Sequence, residues 1–433
     1  MHNLILNILG KYKHHRNIVL NFSYLAIVQI INIFLTLATY PYLIRVLGKE
    51  LFGLVVFAQA IIAYLIVLVS FGFNIAATKE ISINRDNKAK LNQIFSSIII
   101  LKGILFLISF GLLFIAISYI PEAKDNKILF ILSMFACFYE FIYPSWYFQG
   151  MEKMKYVTLI TLISKFTFFI LTFVFISSKN DYLLVPLFNG FGSVLAGIIS
   201  SYIVITKEKI VFSFQPLRIL WKYFYDSIAF FISYISIQIY VNANKIIIGS
   251  FLGMAEVAYF DLAEKIVLLM KLPQAIFNQT IFPKISNNMN LNFVRKSFLY
   301  STSGNIVLFL ICLILAPIIV SLLGGRQMIE STNLLRWLAL TVPVNGISSF
   351  LSIQILIPFG YKKAFTKIIL ASVSFYLFII AILYIYNTIT LYSIISSTIA
   401  TEIFTTIVVI LICKKKNVLW KSSNTFLTKN VLS

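Results

Sequence analysis

The chain has 433 residues, 60% of them apolar and only 12% charged, with a mean hydropathy of +0.92. A soluble protein of this length needs more polar surface than that, so the composition excludes a soluble fold and predicts an integral membrane protein. The net charge of +21 does not point to nucleic acid. The basic residues form short clusters between apolar runs, the pattern of cytoplasmic loops, and no nucleic-acid partner is expected.

Lys11, Lys13 and Arg16 precede the first long apolar stretch. That stretch lacks a small-residue cleavage site and is expected to stay as the first helix rather than leave as a signal peptide. Apolar runs then predict helices at about 18–44, 51–75, 94–118, 127–148, 157–176, 182–205, 224–249, 256–280, 298–323, 332–357, 366–386 and 389–412. Each has about 20–27 residues, enough to cross ~30 Å of hydrocarbon. Barrel strands would alternate apolar and polar residues, which runs such as 98–117 and 375–384 do not. The expected fold class is an all-α integral membrane protein with about twelve transmembrane helices. The helix at 366–386 is almost wholly apolar and is expected to face lipid.

The connections alternate in charge. One set holds Lys11, Lys13 and Arg16; Lys79, Arg85, Lys88 and Lys90; Lys153 and Lys155; Lys207, Lys209, Arg218 and Lys222; Lys284, Arg295 and Lys296; Lys362, Lys363 and Lys367; and Lys414, Lys415 and Lys416. The other holds only Arg45, Lys49, Lys124, Lys127, Lys179 and Arg326. The positive-inside rule puts the first set, with both termini, in the cytoplasm. No connection exceeds about 25 residues, so no extramembrane domain is expected.

The two halves echo each other. LGKELFGL at 47–54 is followed by an apolar helix and Glu80-Ile81-Ser82; LGMAEVAY at 252–259 is followed by a helix and Lys284-Ile285-Ser286. Gly48 to Ser82 spans 34 positions (82 − 48) and Gly253 to Ser286 spans 33 (286 − 253). The repeat implies two six-helix lobes, 1–212 and 213–433, joined by a basic linker near 207–222. Internal repeats are typical of transporters, with the substrate site between the repeats.

Ionisable side chains inside a bilayer are costly and usually face a cavity. Lys102, Glu140, Lys165 and Glu402 lie deep in predicted spans, and Asp261, Glu264, Lys265 and Lys271 share the helix at 256–280. Asp261 and Lys265 suit either a structural i,i+4 pair or a functional site. Lys245 and Lys271, near predicted ends, are expected to snorkel to the headgroups. Polar stripes recur at helical spacing: Gln29, Asn32, Thr36 and Thr39 on one helix, and Ser233, Ser236, Tyr240 and Asn244 on another. Such a stripe suits a water-filled lumen or the glue between packed helices. Glu140, Asp261, Glu264 and Glu402 are the candidates for coupling to H+ or Na+.

Enzymatic constellations are missing. His2, His14 and His15 all precede the first helix, so no His-based triad or His–Cys metal cluster is expected in the core. GYKKAF at 360–365 lacks the P-loop spacing, and Cys137, Cys312 and Cys413 suggest no disulfide framework. No cofactor, metal site or enzymatic activity is expected.

Several blocks resemble one family. LGKELFGLVVFAQAIIAYLIVLVSFGFNIAATKEIS at 47–82 resembles the second helix of the bacterial polysaccharide transporters that flip O-antigen units. WYFQGMEKMKYVTLITLISK at 146–165 resembles their helix four–five connection, and NDYLLVPL at 180–187, AYFDLAEKIV at 258–267 and IFPKIS at 281–286 also match. The blocks stand in family order over about two thirds of the chain. The resemblance implies a multidrug-exporter-like fold, two six-helix lobes around a central cavity. It also implies a flippase carrying undecaprenyl-pyrophosphate-linked O-antigen or polysaccharide repeat units across a bacterial inner membrane, with a polysaccharide polymerase as partner. Lys102, Lys165 and Lys265 would then attract the pyrophosphate, with Gln29, Asn32, Asn244 and Lys245 as further substrate-binding residues. Relatives often carry an acidic residue late in helix seven where this chain has Asn242, Ala243, Asn244 and Lys245, which puts an ion site there in doubt. A cation-coupled drug exporter is the alternative within the superfamily; the intramembrane lysines argue against it. A membrane glycan polymerase is the alternative outside it and would be expected to show a large periplasmic loop.

Overall fold

The computed structural model describes residues 2–288 and 291–416, with side chains from Ile31 onward except those of Ile237, Asn288 and Lys362. The side chains of Lys11, Lys13, Arg16 and Gln29 lie outside those described. Among the described residues the chain is helical and without strands.

Helix α1 (His2–Ser70) is two apolar helices joined at Gly48, whose φ of 77° and ψ of 167° interrupt it. Gly253, its counterpart in the repeat, also has positive φ, at 132°. Residues with a Cβ avoid that region, so the glycine of each LG pair is required where the chain turns into the next helix. Then come α2 (Phe73–Ile83) and α3 (Lys88–Tyr119), the latter begun by Asn87, whose side chain accepts the Lys90 N–H. The expected 127–148 helix is broken into α5 (Lys127–Ser133), α6 (Phe135–Ile142) and α7 (Ser145–Gly150), after a short α4 (Pro121–Asp125). Pro144 separates the last two because it has no N–H to donate. Helices α8 (Met154–Phe175) and α9 (Leu184–Thr206) follow. They approach closely at Gly192, where a Cβ would lie 2.6 Å from the Ser164 carbonyl oxygen. In lipid, where no hydrophobic force drives helices together, such close backbone approach supplies the packing.

Beyond α10 (Leu217–Phe251) come α11 (Met254–Asn288) and α12 (Leu291–Gly324). The expected 332–357 helix appears as α13 (Ser331–Ala339) and α14 (Thr341–Leu351), continued by a π-helical turn at Ser352–Leu356. Last are α15 (Lys362–Ile385) and α16 (Leu391–Lys415), the latter begun by a Thr390–Ser393 capping box. On α15, Leu370, Leu377, Phe378, Ile382 and Ile385 are exposed, as a lipid-facing helix requires.

Among the described residues nine helical segments are long and apolar enough to cross a membrane, or ten with α10 as one bent span. The protein is a multi-pass membrane protein. The segment Ile31–Ile83 counts once in that tally although Gly48 divides it. Helix α11 is not among the nine: its first half carries Glu256, Asp261, Glu264, Lys265 and Lys271, and its second half is rich in amides.

The chain divides into two compact units, Met1–Gln238 and Ile239–Ser433. The core of the first gathers Phe73, Ile81, Ile94, Ile98, Trp146, Tyr147 and Phe148, all almost wholly buried. The core of the second centres on Ile285, Val294, Phe350, Leu356 and Cys413.

Candidate substrate and ion-coupling sites

In the first unit, α2, α3 and α6 converge on one charge pair. Lys102 has no exposed surface, and its ammonium lies 2.8 Å from Glu140 Oε1. It also donates to the Glu140 carbonyl oxygen at 2.9 Å and to Asn74 Oδ1 at 3.4 Å. Asn74 Nδ2 in turn donates to Glu140 Oε1 and to Ser70 Oγ, both at 3.2 Å. An unpaired ammonium in hydrocarbon is expensive, so the nearest carboxylate takes it. Lys102, expected to line a cavity, presents nothing to one in this conformation. Lys165, on α8, is exposed. Asn32, on α1, is half-buried, and its Oδ1 is buried without a hydrogen-bond partner. Thr36 and Thr39 of the same stripe donate to the carbonyls of Asn32 and Leu35.

In the second unit two clusters form. Lys245 on α10 lies 2.9 Å from Asp261 and 2.7 Å from Glu264 on α11, and Lys265 lies 3.3 Å from Asp261. Asp261 is wholly buried; the Lys265 side chain is 36% exposed and alone in the cluster offers much surface. The cluster carries two positive and two negative charges and is neutral as a group. Lys245 does not snorkel as expected: two carboxylates nearly one turn apart on α11 capture it. The i,i+4 pair of Asp261 and Lys265 is present, with Lys245 as an unforeseen third member.

The other cluster surrounds Glu402 on α16. Lys271 lies 3.3 Å from its carboxylate, so this lysine too is paired rather than snorkelling. Asn345 Nδ2 on α14 donates to both carboxylate oxygens at 3.3 and 3.2 Å, and the Tyr240 hydroxyl to one at 3.5 Å. Asn244 is 2% exposed; it donates to Thr398 Oγ1 at 3.1 Å and accepts from the Tyr376 hydroxyl at 2.7 Å. Its amide therefore ties α10, α15 and α16 together here. Ser236 donates to its own helix at the Ile232 carbonyl.

A third polar group escaped the sequence reading. Ser301 Oγ and Asn305 Nδ2 on α12 donate to Gln274 Oε1 at 2.5 and 2.6 Å. Gln274 Nε2 donates to Asn278 at 2.9 Å, and Asn278 Nδ2 to Ser349 Oγ at 2.9 Å. Gln354, in the π-helical turn, donates to the Asn278 carbonyl at 2.7 Å. The signal was available: Gln274 with Asn278 and Ser301 with Asn305 are i,i+4 pairs of uncharged polar residues within spans.

The family-like block at 146–165 has a structural use as well. Arg85 donates to the Gly150 carbonyl at 2.8 Å and pairs with Glu152 at 2.7 Å. Next to it, Lys153 reaches both oxygens of Glu208 at 2.6 Å, and Lys88 donates to the Glu208 carbonyl. The Asn92 and Ser96 side chains accept the backbone N–H groups of Val211 and Ser213. The basic linker is thus fastened along the end of α3 that carries Lys88.

Comparison with known proteins agrees with this architecture. The family model described as "Polysaccharide biosynthesis protein" matches residues 18–289, and a second model of the same description matches 286–429. A protein of Escherichia coli (strain K12) named "Putative O-antigen transporter" is 32% identical over 361 residues, 81% of this chain and 86% of that one. One of the same name from Shigella dysenteriae is 28% identical over 80% of this chain and 88% of that one. Among solved structures, the lipid II flippase MurJ in an inward closed conformation superposes with a TM-score of 0.71 at 17% identity, covering 90% of this chain and 87% of its own. An inward-facing multidrug resistance MATE family transporter superposes with a TM-score of 0.62 at 14% identity, covering 88% and 97%. The fold is multidrug-exporter-like, as expected.

Proposed function

The chain belongs to the polysaccharide biosynthesis protein family, and from that membership we propose that it is a flippase. Its cargo is an undecaprenyl-pyrophosphate-linked O-antigen or polysaccharide repeat unit, moved from the cytoplasmic to the periplasmic leaflet of a bacterial inner membrane. The observation that carries the reading is the 32% identity, over four fifths of the chain, with a relative named as an O-antigen transporter. The fold shared with a lipid II flippase supports it.

The chemistry is consistent. A pyrophosphate–sugar headgroup cannot cross hydrocarbon unaided, because its charges and hydroxyls would lose their hydration. Two six-helix lobes, 1–212 and 213–433 with twelve spans in all, would supply polar side chains to the headgroup while the polyprenyl tail stays in lipid. No covalent bond is made or broken, so the protein acts as a carrier and not as an enzyme. Both termini are cytoplasmic in this reading, following the loop charges.

Lys165 and Lys265, the exposed members of the cationic set, meet the pyrophosphate first. Lys102 and Lys245 reach it only when Glu140, Asp261 or Glu264 releases them. Asn32, with its unpartnered oxygen, Gln29 and Asn244 contribute polar contacts along the path. Release of a lysine by a carboxylate is also where an ion enters: H+ or Na+ taken up by Glu140, Asp261, Glu264 or Glu402 weakens its hold on the paired lysine. A polysaccharide polymerase would receive the flipped unit.

The test is transport of a defined lipid-linked oligosaccharide by the purified protein in liposomes. Accumulation in the opposite leaflet, dependent on the protein, is the expected result. A leaflet distribution identical to protein-free liposomes overturns the reading.

A further inference from the structure

From a cavity inside the first unit we infer that the protein carries a subsite for one uncharged sugar ring, with Gln59 and Asn189 as its hydrogen-bonding residues. The inference rests on the flippase reading and adds to it a place where the glycan, as opposed to the pyrophosphate, is recognised.

The cavity has a volume of about 130 Å³ and lies where α1, α5 and α9 meet. Gln59, Ile62 and Ile66 line it from α1, at spacings of three and four that put them on one helical face. Pro186 and Asn189 line it from α9, three apart, and Ser133 closes it from the end of α5. Gln59 is exposed and Asn189 half-buried, and neither side chain has a hydrogen-bond partner among the described residues. By contrast, Asn74, Asn244, Gln274, Asn278, Asn305 and Asn345 each use their side-chain amides in hydrogen bonds. A polar side chain within a span is retained at a cost unless something satisfies it. Two such amides opening into one cavity mark a place for a ligand with hydroxyl groups.

The lining also decides the class of ligand. It contains no charged residue, so it offers nothing to neutralise a pyrophosphate. A lipid tail would leave both amides unsatisfied. A sugar ring fits both surfaces: its hydroxyls exchange hydrogen bonds with the two amides, and its C–H face rests on Ile62, Ile66 and Pro186. Polar groups that fix orientation within a mostly apolar lining are the usual make-up of a small-ligand pocket.

Affinity of the full-length protein in detergent is measured for undecaprenyl pyrophosphate bearing one N-acetylglucosamine and for undecaprenyl pyrophosphate without sugar. The ratio of the two isolates the sugar contacts. Wild type is expected to favour the sugar-bearing lipid. Gln59→Leu and Asn189→Leu should each reduce that preference about fivefold, the factor for one lost neutral hydrogen bond, with affinity for the bare pyrophosphate lipid unchanged. Should the leucine variants not purify, Gln59→Asn, which withdraws the amide by one methylene, and Asn189→Ser read the same ratio. An unchanged ratio in the variants, or equal binding of both lipids by wild type, overturns the subsite and leaves the flippase reading standing. Binding of neither lipid by wild type overturns both.

Discussion

Loss of the Glu140 charge should destabilise the first unit by several kcal/mol, and neutralising Lys102 as well should recover most of the loss. The two charges lie 2.8 Å apart, which at an effective dielectric of about 20 corresponds to roughly 6 kcal/mol of attraction. Desolvation of both groups offsets much of that in the wild type. In Glu140→Gln the attraction disappears but the ammonium stays buried, with only the residue-140 carbonyl, the new amide and Asn74 Oδ1 as acceptors. Removing one partner of a buried pair typically costs about 3–5 kcal/mol, and the surviving acceptors place this variant near the low end. A unit of this size loses about 2–4 °C of thermal midpoint per kcal/mol, so a fall of roughly 6–12 °C is expected. The double variant Lys102→Met with Glu140→Gln has no buried charge and should return to within a few degrees of wild type. The assay is thermal unfolding of the purified protein in detergent. A midpoint for Glu140→Gln within about 2 °C of wild type, or a double variant no better than the single, refutes the buried-pair reasoning. Transport by the stable double variant then tells whether Lys102 also serves the cargo.

Single cysteines at Lys88, Lys209 and Lys415 are expected to label only from the cytoplasmic side, and those at Lys124 and Arg326 only from the periplasmic side; periplasmic labelling at Lys415 would reverse the orientation. Asp261→Asn removes two ion pairs at once and should cost about 3–5 kcal/mol, more than Glu264→Gln at about 1.5–3 kcal/mol, both read as thermal midpoints. Exchanging charges with Asp261→Lys and Lys265→Asp should not restore stability, since the new ammonium would meet Lys245; full recovery would show that Lys245 is not part of the cluster. Glu208→Gln weakens the half-exposed pair with Lys153 by about 1 kcal/mol. Trypsin cleavage at Lys207 or Lys209 should then quicken about fivefold, and an unchanged rate would mean that the linker is held by its backbone contacts to Lys88, Asn92 and Ser96.

Helix positions were legible because the bilayer acts on local composition: a span needs a run of apolar residues of set length wherever it packs. The expected spans fall on helix, those at 127–148 and 332–357 in pieces, and the interruptions at Gly48 and Pro144 fall at residues whose backbone chemistry announces them. Helix α11 shows the limit. Its charges and amides depress its hydropathy below that of an ordinary span, because what makes those groups tolerable lies on α10, α12, α14 and α16, not in its own sequence.

The amino-acid sequence by itself therefore determined that this is an all-helical membrane protein, where its helices run, and, through LGKELFGL, WYFQGMEK and the other blocks, which family it resembles. Hydropathy, helical period and motif are properties of neighbours along the chain. Only the tertiary structure decided which charges neutralise which. Lys102 meets Glu140, 38 residues away, and Lys271 meets Glu402, 131 residues away. Lys245, read as a snorkelling end residue, is held by two carboxylates of the next helix. No spacing rule connects such positions, because the partner of a buried ion is whatever the packing of separate helices brings within about 3 Å. For the same reason Gln59 and Asn189, 130 positions apart (189 − 59), could be seen to share a cavity only once α1 and α9 were folded together.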